Sequence, residues 1–463
     1  MSHAPEIQKL QEPQLQSDVS GRATGRHRTF FLLAFFILLL EFLLNPIGVA
    51  DREWLETHQL DSEAIVIARM IPASDGGFFA VGGFLRMIDG DFYANIPNAF
   101  QMYLESAPGL PSARFAPYTG QVGLHGDIFA AADLAMRAVG LEGGLRLAFL
   151  RIAVASACAA TLAYLVLMIR LEFGLVCAVA GLVALVFSPW LTSMAKNIYW
   201  VPFTWFLPMA LAWRGYVTSS PPAGKKLRSI VLGIGAAVAL KCLCGFEYVT
   251  SVGGAAASVA AYGLIKSGAS WRLLVTHAMV LVGAMSVGVM SALFIQISRL
   301  GIYMGSFYGA WIDFIQRLHV HTSIGERLYE HQSVGEAYLK ALETSYLATL
   351  WKYIHGSPIF GLSPHFWINA LPLLTLTITF ILSAGAILLF RFRGDNVRQR
   401  EVLALLALAA GAAVSSMSWF VFAHGHSDIH THINFVLWHV PYFFLAAPIC
   451  IRLGHIFKQK YVR

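Results

Sequence analysis

Two acidic residues near the start of one short segment could supply a general base. Asp61 and Glu63 are separated by a single serine at the beginning of a helix predicted over 62–71. A partly desolvated carboxylate at a membrane boundary can take the proton from an acceptor hydroxyl. A structural role fits equally well, because Asp61 is a favourable N-cap and acids in the first turn favour the helix dipole. Asp51, which follows the first apolar run, is the competing candidate base.

A histidine-rich segment near the C-terminal end is the second candidate. Residues 424–432 read His-Gly-His-Ser-Asp-Ile-His-Thr-His. His426 and His430 are four positions apart and therefore share one helical face. Three interpretations stay open: a zinc site with Asp428 nearby, polar residues that line a water-filled vestibule, or imidazoles that contact a phosphate. The spacing matches no strong zinc signature.

A third group consists of polar residues beside apolar segments. Lys241 and Glu247 lie near the predicted outer end of one such segment, where charges are costly and tend to face cavities. They predict either a structural ion pair or a contact between Lys241 and an anionic lipid headgroup. Lys196, Asn197, Tyr199 and Trp200 belong to the same group and precede the next apolar segment. Tyr118, Gln121 and His125 offer the hydroxyl, amide and aromatic contacts that suit a sugar.

Several chemistries have no support in the sequence. The chain contains no phosphate-binding loop of the type G-x-x-x-x-G-K-[ST], no H-E-x-x-H and no G-x-S-x-G. ATP-driven transport and zinc or serine proteolysis are therefore not indicated. All five cysteines fall in apolar segments, which argues against a disulfide framework in the long polar loops.

The composition predicts the elements that must position these residues. The chain has 463 residues, of which 57% are hydrophobic and 13% charged, whereas a soluble domain carries about 25% charged residues. So few charges cannot cover the surfaces of soluble domains, and they exclude a disordered chain. The net charge of +7 is distributed as in a membrane protein rather than as in a nucleic-acid binder.

Apolar segments long enough to span a bilayer recur along the chain. Seven are clear, at 29–48, 147–169, 173–190, 273–296, 367–390, 401–420 and 433–450. Three are weaker, at 200–213, 229–244 and 249–265. We therefore expect an all-α polytopic membrane protein with about ten transmembrane helices.

The distribution of Lys and Arg predicts the orientation. With the N-terminus in the cytoplasm, every short segment on the inner side is basic, and the outer segments are neutral or acidic. Both termini are then cytoplasmic. Residues 1–28 lack periodicity and predict a disordered cytoplasmic tail, followed by a single transmembrane domain over 29–463.

Two predicted exterior loops, 48–145 and 297–366, are too long to be simple connectors. The first is too rich in aromatic residues for a solvated linker. One helical face in it, within 124–139, is formed by Leu124, Ile128, Ala131, Ala135 and Val139. A similar apolar pattern runs over 338–350 in the second loop. We expect helices that lie at the membrane surface.

This arrangement resembles the GT-C superfamily of polytopic glycosyltransferases. The resemblance rests on the cytoplasmic N-terminus, the long first exterior loop and the many helices with short inner loops. Asp61-Ser62-Glu63 looks like the acidic pair that opens the first loop's helix in that superfamily. His426-Ser427 and His430 are similar to polar residues on the donor side of some members.

The resemblance implies an enzyme that moves a hexose or pentose from a polyprenyl-phosphate donor to an acceptor hydroxyl on a glycan, lipid or protein. Transfer would occur on the exterior face of a bacterial cytoplasmic membrane, in glycan biosynthesis for the cell envelope, with inversion at the sugar. Asp61 or Glu63 would be the base, while Lys241 and the histidines near His426 would stabilise the leaving phosphate. The sequence identifies no cofactor, a requirement for a divalent cation stays open, and nucleic acid is not an expected partner.

Two other function classes stay open. A transporter or flippase of a lipid-linked or anionic solute would predict internal repeats and charged residues at mid-membrane, and the acids cluster in a loop instead. A histidine-rich membrane metalloenzyme would need several histidine clusters near one face, and only His426 with His430 has the H-x-x-x-H spacing of such clusters.

Overall fold

The computed structural model describes residues 12–50, 60–71, 83–87, 92–105, 115–218, 222–322, 344–355 and 370–458. The first half of the chain forms α1 (Glu12–Leu44), α2 (Leu60–Met70), β1 (Leu85–Met87), α3 (Phe92–Leu104), β2 (Phe115–Pro117), α4 (Leu124–Ala138), α5 (Gly143–Phe173), α6 (Leu175–Val186), α7 (Pro189–Met194) and α8 (Phe203–Tyr216).

The second half continues with α9 (Gly224–Cys244), α10 (Val249–Lys266), α11 (Trp271–Met304), α12 (Phe307–Thr322), α13 (Tyr346–His355), α14 (Ala370–Arg391), α15 (Asn396–Phe422), α16 (His424–Ile429), α17 (Thr431–Asn434) and α18 (Trp438–Lys458). The first six residues of α18, Trp438–Phe443, form a π-helical turn.

The protein is an all-α polytopic membrane protein, as the composition predicts. Among the described residues, seven helices are long and apolar enough to cross a membrane: α1, α5, α9, α11, α14, α15 and α18. The other three predicted spans are also helical, but α6, α8 and α10 are shorter. The segment predicted over 173–190 ends at Val186, because the Ser188 side chain caps a new helix by accepting a hydrogen bond from the Leu191 N–H. A total of ten spans stays a prediction.

Close packing between helices defines the core of the bundle. Helix α10 packs on α8 and α15, and α9 packs on α11. Glycines allow the backbones of α9 and α11 to approach, since a Cβ on Gly235 would lie 2.8 Å from the Ala284 carbonyl oxygen. Gly288 faces the carbonyl oxygen of Gly235 at the same crossing. Small residues serve this purpose in membrane helix packing.

The predicted helices of the first long loop are present with nearly the predicted bounds. The segment predicted over 62–71 is α2, and the one predicted over 124–139 is α4. The apolar face of α4 points outward, with Ile128 54% and Val139 76% exposed. Its opposite face is buried around Asp133. The two short strands pair antiparallel between these helices.

Three elements differ from the sequence expectations. Helix α1 begins at Glu12, so residues 12–28 of the expected tail are helical, and Arg170 contributes by donating to the Arg26 carbonyl at 3.2 Å. Helix α11 continues past the predicted end at 296 to Met304, and α12 follows it. In the second long loop α13 begins at Tyr346, whereas the pattern over 338–343 lies outside the described residues.

Candidate functional site

Glu63 on α2 is held by three hydrogen bonds. Its carboxylate is 3% exposed and is bound by the Arg151 guanidinium on α5, with Nε donating to Oε1 at 3.2 Å and Nη2 donating to Oε2. Oε1 also accepts the backbone N–H of Ile198 at 3.1 Å. Such paired, charge-assisted bonds occupy both oxygens, which favours Glu63 as the anchor of α2 over a proton acceptor.

Asp61 lies in the first turn of α2, which begins at Leu60. It is partly exposed, unlike Glu63. Its Oδ1 accepts the backbone N–H of Ser62 at 2.6 Å, and the Ser62 hydroxyl accepts from Nδ2 of Asn197 at 3.4 Å. Asp51, the competing candidate, lies outside the described residues.

The segment from Ala195 to Pro202, between α7 and α8, joins α2 to a second polar group; we call it the connecting loop. Asn197 and Ile198 bind α2. Oδ1 of Asn197 also accepts the backbone N–H of Tyr199 at 2.9 Å, which fixes the local turn. The next side chain, Tyr199, points to Glu247. One loop therefore contacts both the acidic helix and the group described next.

Glu247 is the centre of this second polar group. Its Oε1 accepts from the Tyr199 hydroxyl at 2.8 Å and from Nε2 of Gln121, which also donates to the Tyr199 oxygen at 2.9 Å. Nζ of Lys241 lies 3.8 Å from Oε2 and donates to the Gly245 carbonyl at 2.5 Å. Burial and the neighbouring carboxylate raise the pKa of Tyr199 well above its usual value, so the phenol is protonated and donates.

His125 lies beside this group in an aromatic surrounding. It is 3% exposed, and its ring centroid is 4.9 Å from that of Phe84 and 6.4 Å from that of Tyr199. Burial, assisted by the charge of Lys241, lowers the pKa of His125 to about 3, so the imidazole is neutral. Tyr118 is partly exposed and meets the same Phe84 ring at 6.3 Å.

The C-terminal end of α11 secures the chain that carries Gln121 and His125. Nε2 of Gln296 donates to the Thr119 carbonyl at 2.7 Å, and Nη1 of Arg299 donates to the Val122 carbonyl at 3.0 Å. Arg299 also bonds Asp127 at 3.2 Å. No local sequence pattern singles out Arg151, Gln296 or Arg299 as site residues. The available signal was an isolated Arg at the edge of an apolar segment, since such residues usually have a specific partner.

The histidine segment forms another group on α16 and α17, beside the C-terminal end of α15. The ring centroids of His426 and His430 are 4.5 Å apart, and the Trp419 ring lies 5.5 Å from His426. Asp428 faces the second long loop, where it accepts from Thr349 at 3.2 Å and Lys352 at 2.5 Å. Over the part of the chain that the structure describes, no group of three or more His, Cys, Asp or Glu is arranged to hold a metal ion.

Aromatic contacts link the two polar regions. The Trp200 ring follows Tyr199 and stacks on Tyr248 at 6.2 Å, and Tyr248 meets Trp419 at 5.4 Å. The Tyr248 hydroxyl donates to Oδ1 of Asn434 at 2.8 Å, just beyond the histidines. The connecting loop and the histidine segment are thus the two ends of one buried, continuous set of contacts.

No protein-family model and no curated protein sequence matches the chain. Among solved structures, it is similar to the archaeal oligosaccharyltransferase AglB from Archaeoglobus fulgidus, in complex with an inhibitory peptide and a dolichol-phosphate. The identity is 12% and the TM-score 0.44; the match covers 94% of this chain and 51% of AglB, so the chain spans about half the length of that protein. A likeness of this degree does not define a function, which has to follow from the residues of the site.

Proposed function

We propose that the chain is an integral-membrane glycosyltransferase that moves a sugar from a polyprenyl-phosphate donor to an acceptor hydroxyl on the exterior face. One observation carries the proposal: the connecting loop contacts both the acidic start of α2 and the group formed by Gln121, Tyr199 and Glu247. The carboxylate proposed for proton abstraction and the side chains suited to sugar hydroxyls are therefore held by the same loop. Helices able to cross a membrane surround it, which suits a lipid-linked donor and a single domain over 29–463.

The proposed reaction is one displacement at the anomeric carbon. The acceptor oxygen forms a bond to that carbon while the bond from the carbon to the phosphate oxygen breaks. The polyprenyl phosphate leaves with the bonding electron pair, the hydroxyl proton moves to the base, and the configuration inverts. We assign the base to Asp61, because Arg151 and the Ile198 N–H already engage both oxygens of Glu63.

The leaving phosphate needs positive charge or hydrogen-bond donors. Lys241 is committed to Glu247 and to the Gly245 carbonyl, so its role in the proposal is to fix Glu247 and, through it, Tyr199. The phosphate contacts are assigned to His426 and His430, whose ring centroids lie 4.5 Å apart. Their neighbour Asp428 is bound by α13 and its flanking residues. A divalent cation is not needed for this assignment.

The test uses the purified full-length chain in lipid nanodiscs with radiolabelled polyprenyl-phosphate hexose and pentose donors. Asp61→Asn should lower turnover about 10²–10⁴-fold, as expected for loss of a general base, with donor binding nearly unchanged because the base acts in the transition state. Asp395→Asn, at the opposite end of the bundle, is the matched control and should keep full turnover.

Three results would contradict the proposal. Wild-type turnover in Asp61→Asn would remove the base from α2. Absence of sugar transfer from every donor, in protein that binds the donor, would favour the transporter class instead. The protein could also hold one tightly bound zinc ion that is lost in His430→Ala. That result would show that the histidines bind a metal rather than the phosphate.

A further inference from the structure

Helix α11 is longer than a bilayer requires. Its 34 residues span about 51 Å at 1.5 Å per residue, whereas the hydrocarbon core is about 30 Å thick. Its first turn contains Arg272, on the basic inner side. Its last turns, from Arg299 to Met304, therefore reach the level of the outer headgroups. Gly305, with φ +65°, ends the helix there, and the chain turns into α12.

The outward face of α12 is apolar from Phe307 to Leu318. At 100° per residue its members fall within a single arc of about 100°. They are Phe307, Tyr308, Trp311, Ile315 and Leu318. Tyr308 is 75% exposed and Phe307 60%. Exposed apolar side chains at the end of α11 continue this surface, including Ile302 and Tyr303.

The other side of α12 is polar and bound to the first long loop. Nη2 of Arg317 donates to the Thr119 hydroxyl, and its Nε donates to Asp313 at 2.8 Å. Thr119 is also the residue whose carbonyl Gln296 holds. Helix α12 additionally packs on α16, which carries His426. One face of α12 thus contacts both polar regions of the site, and the other face is exposed.

We propose that the exposed face of α12 is embedded in the headgroup layer of the outer leaflet, with bilayer lipid as its partner. The surface continues from the lipid-facing side of α11, where Met290 and Phe294 are 60% and 73% exposed. Its Tyr and Trp side chains are the types enriched at membrane interfaces, and an amphipathic helix with this division of faces lies flat at that depth. Through Arg317 and Thr119, α12 sets the height of the first loop above the membrane.

Spin labelling tests this placement without altering the site. In a Cys450→Ser background, because the other four cysteines are buried, a nitroxide is attached at Tyr308→Cys and, as the matched control, at Gln316→Cys on the opposite side of α12. Both proteins are reconstituted in nanodiscs, and collision rates are measured with oxygen, which concentrates in lipid, and with a water-soluble nickel chelate.

At Tyr308→Cys the ratio of oxygen to nickel collisions should exceed one, and at Gln316→Cys it should fall below one. A ratio below one at Tyr308→Cys would mean that the face is in water. Low collision rates with both reagents at that position would mean that protein covers it, such as a second copy of the chain. Either result would overturn the proposal.

Discussion

The two polar regions of the molecule are stabilised in different ways. At the first long loop, the ion pair of Arg146 with Asp133 is buried, with side chains that are 2% and 0% exposed. Around the histidine segment, the pair of Lys352 with Asp428 involves a lysine that is 46% exposed. A buried charge that loses its partner costs several kcal/mol, whereas an exposed pair contributes about 0–1 kcal/mol.

Rings and hydroxyl groups replace charges in the histidine region. The Tyr353 ring stacks on Phe420 with centroids 3.8 Å apart, and its hydroxyl donates to the Ser427 carbonyl at 2.7 Å. Tyr346 lies 4.3 Å from the His424 ring. Such contacts are less directional than buried ion pairs and tolerate small shifts. The comparison indicates a fixed first region that holds the proposed base and a more adjustable histidine region.

Removal of the most buried charge should give the largest effect. In Asp133→Asn, Arg146 stays buried without its counter-charge, while Tyr103 keeps an oxygen to which its hydroxyl can donate. We expect the free energy of unfolding to fall by about 3–5 kcal/mol, measured by denaturant titration in detergent micelles. Asp313→Asn, which breaks the more exposed pair with Arg317, should cost less than about 1 kcal/mol. Equal losses in the two variants would remove the distinction between buried and exposed pairs.

The loss of folding stability at low pH should depend on His125, in the first polar region. Its pKa is about 3 in the folded protein, where burial disfavours the charge, and about 6.5 when unfolded. The unfolded chain therefore binds one more proton between these values, and stability falls as the pH decreases from about 6.5 towards 3. The contribution is about 1.4 kcal/mol per pH unit, or about 2–3 kcal/mol between pH 6 and pH 4. Midpoints of thermal unfolding against pH should decrease less steeply in His125→Gln; parallel curves would contradict the prediction.

The smallest effect is expected in the histidine region. Asp428→Asn removes the pair with Lys352 but leaves an oxygen to which Thr349 can donate, while the amide nitrogen can donate to the Thr344 hydroxyl. The free energy of unfolding should fall by less than about 1 kcal/mol, and the difference should shrink further in high salt. Denaturant titrations at two salt concentrations measure both. A loss as large as that in Asp133→Asn would mean that charge, rather than ring packing, also holds this region.

The sequence was sufficient for the helical elements because their signals are local. Apolar runs predicted the spans, and the spacing from Leu124 to Val139 predicted α4 almost to the residue. The misjudged ends have a physical cause. Arg299 interrupts the apolar run of α11, yet the helix continues because Asp127 and the Val122 carbonyl bind the guanidinium.

The site was less predictable because its contacts join distant parts of the chain. Glu63 and Arg151 are 88 positions apart, and Gln121 and Glu247 are 126 apart. Periodicity carries no information at such separations. The residue types were recognisable as candidates, but the anchoring role of Glu63 depends on a partner that no local pattern reveals.

The glycine crossing between α9 and α11 has a consequence for mutational scans. Helix α9 leads to Lys241 and α11 leads to Gln296 and Arg299, so both sides of the first polar region extend from the point where Gly235 meets Gly288. A single methyl group at Gly288 would force the two backbones apart inside the bilayer, about two helical turns away from Lys241 and Gln296. In a genetic screen such a variant should be produced and inserted but should lack the proposed transferase activity. Loss of activity at this crossing would then measure the separation of two helices and would not identify a residue that takes part in the chemistry.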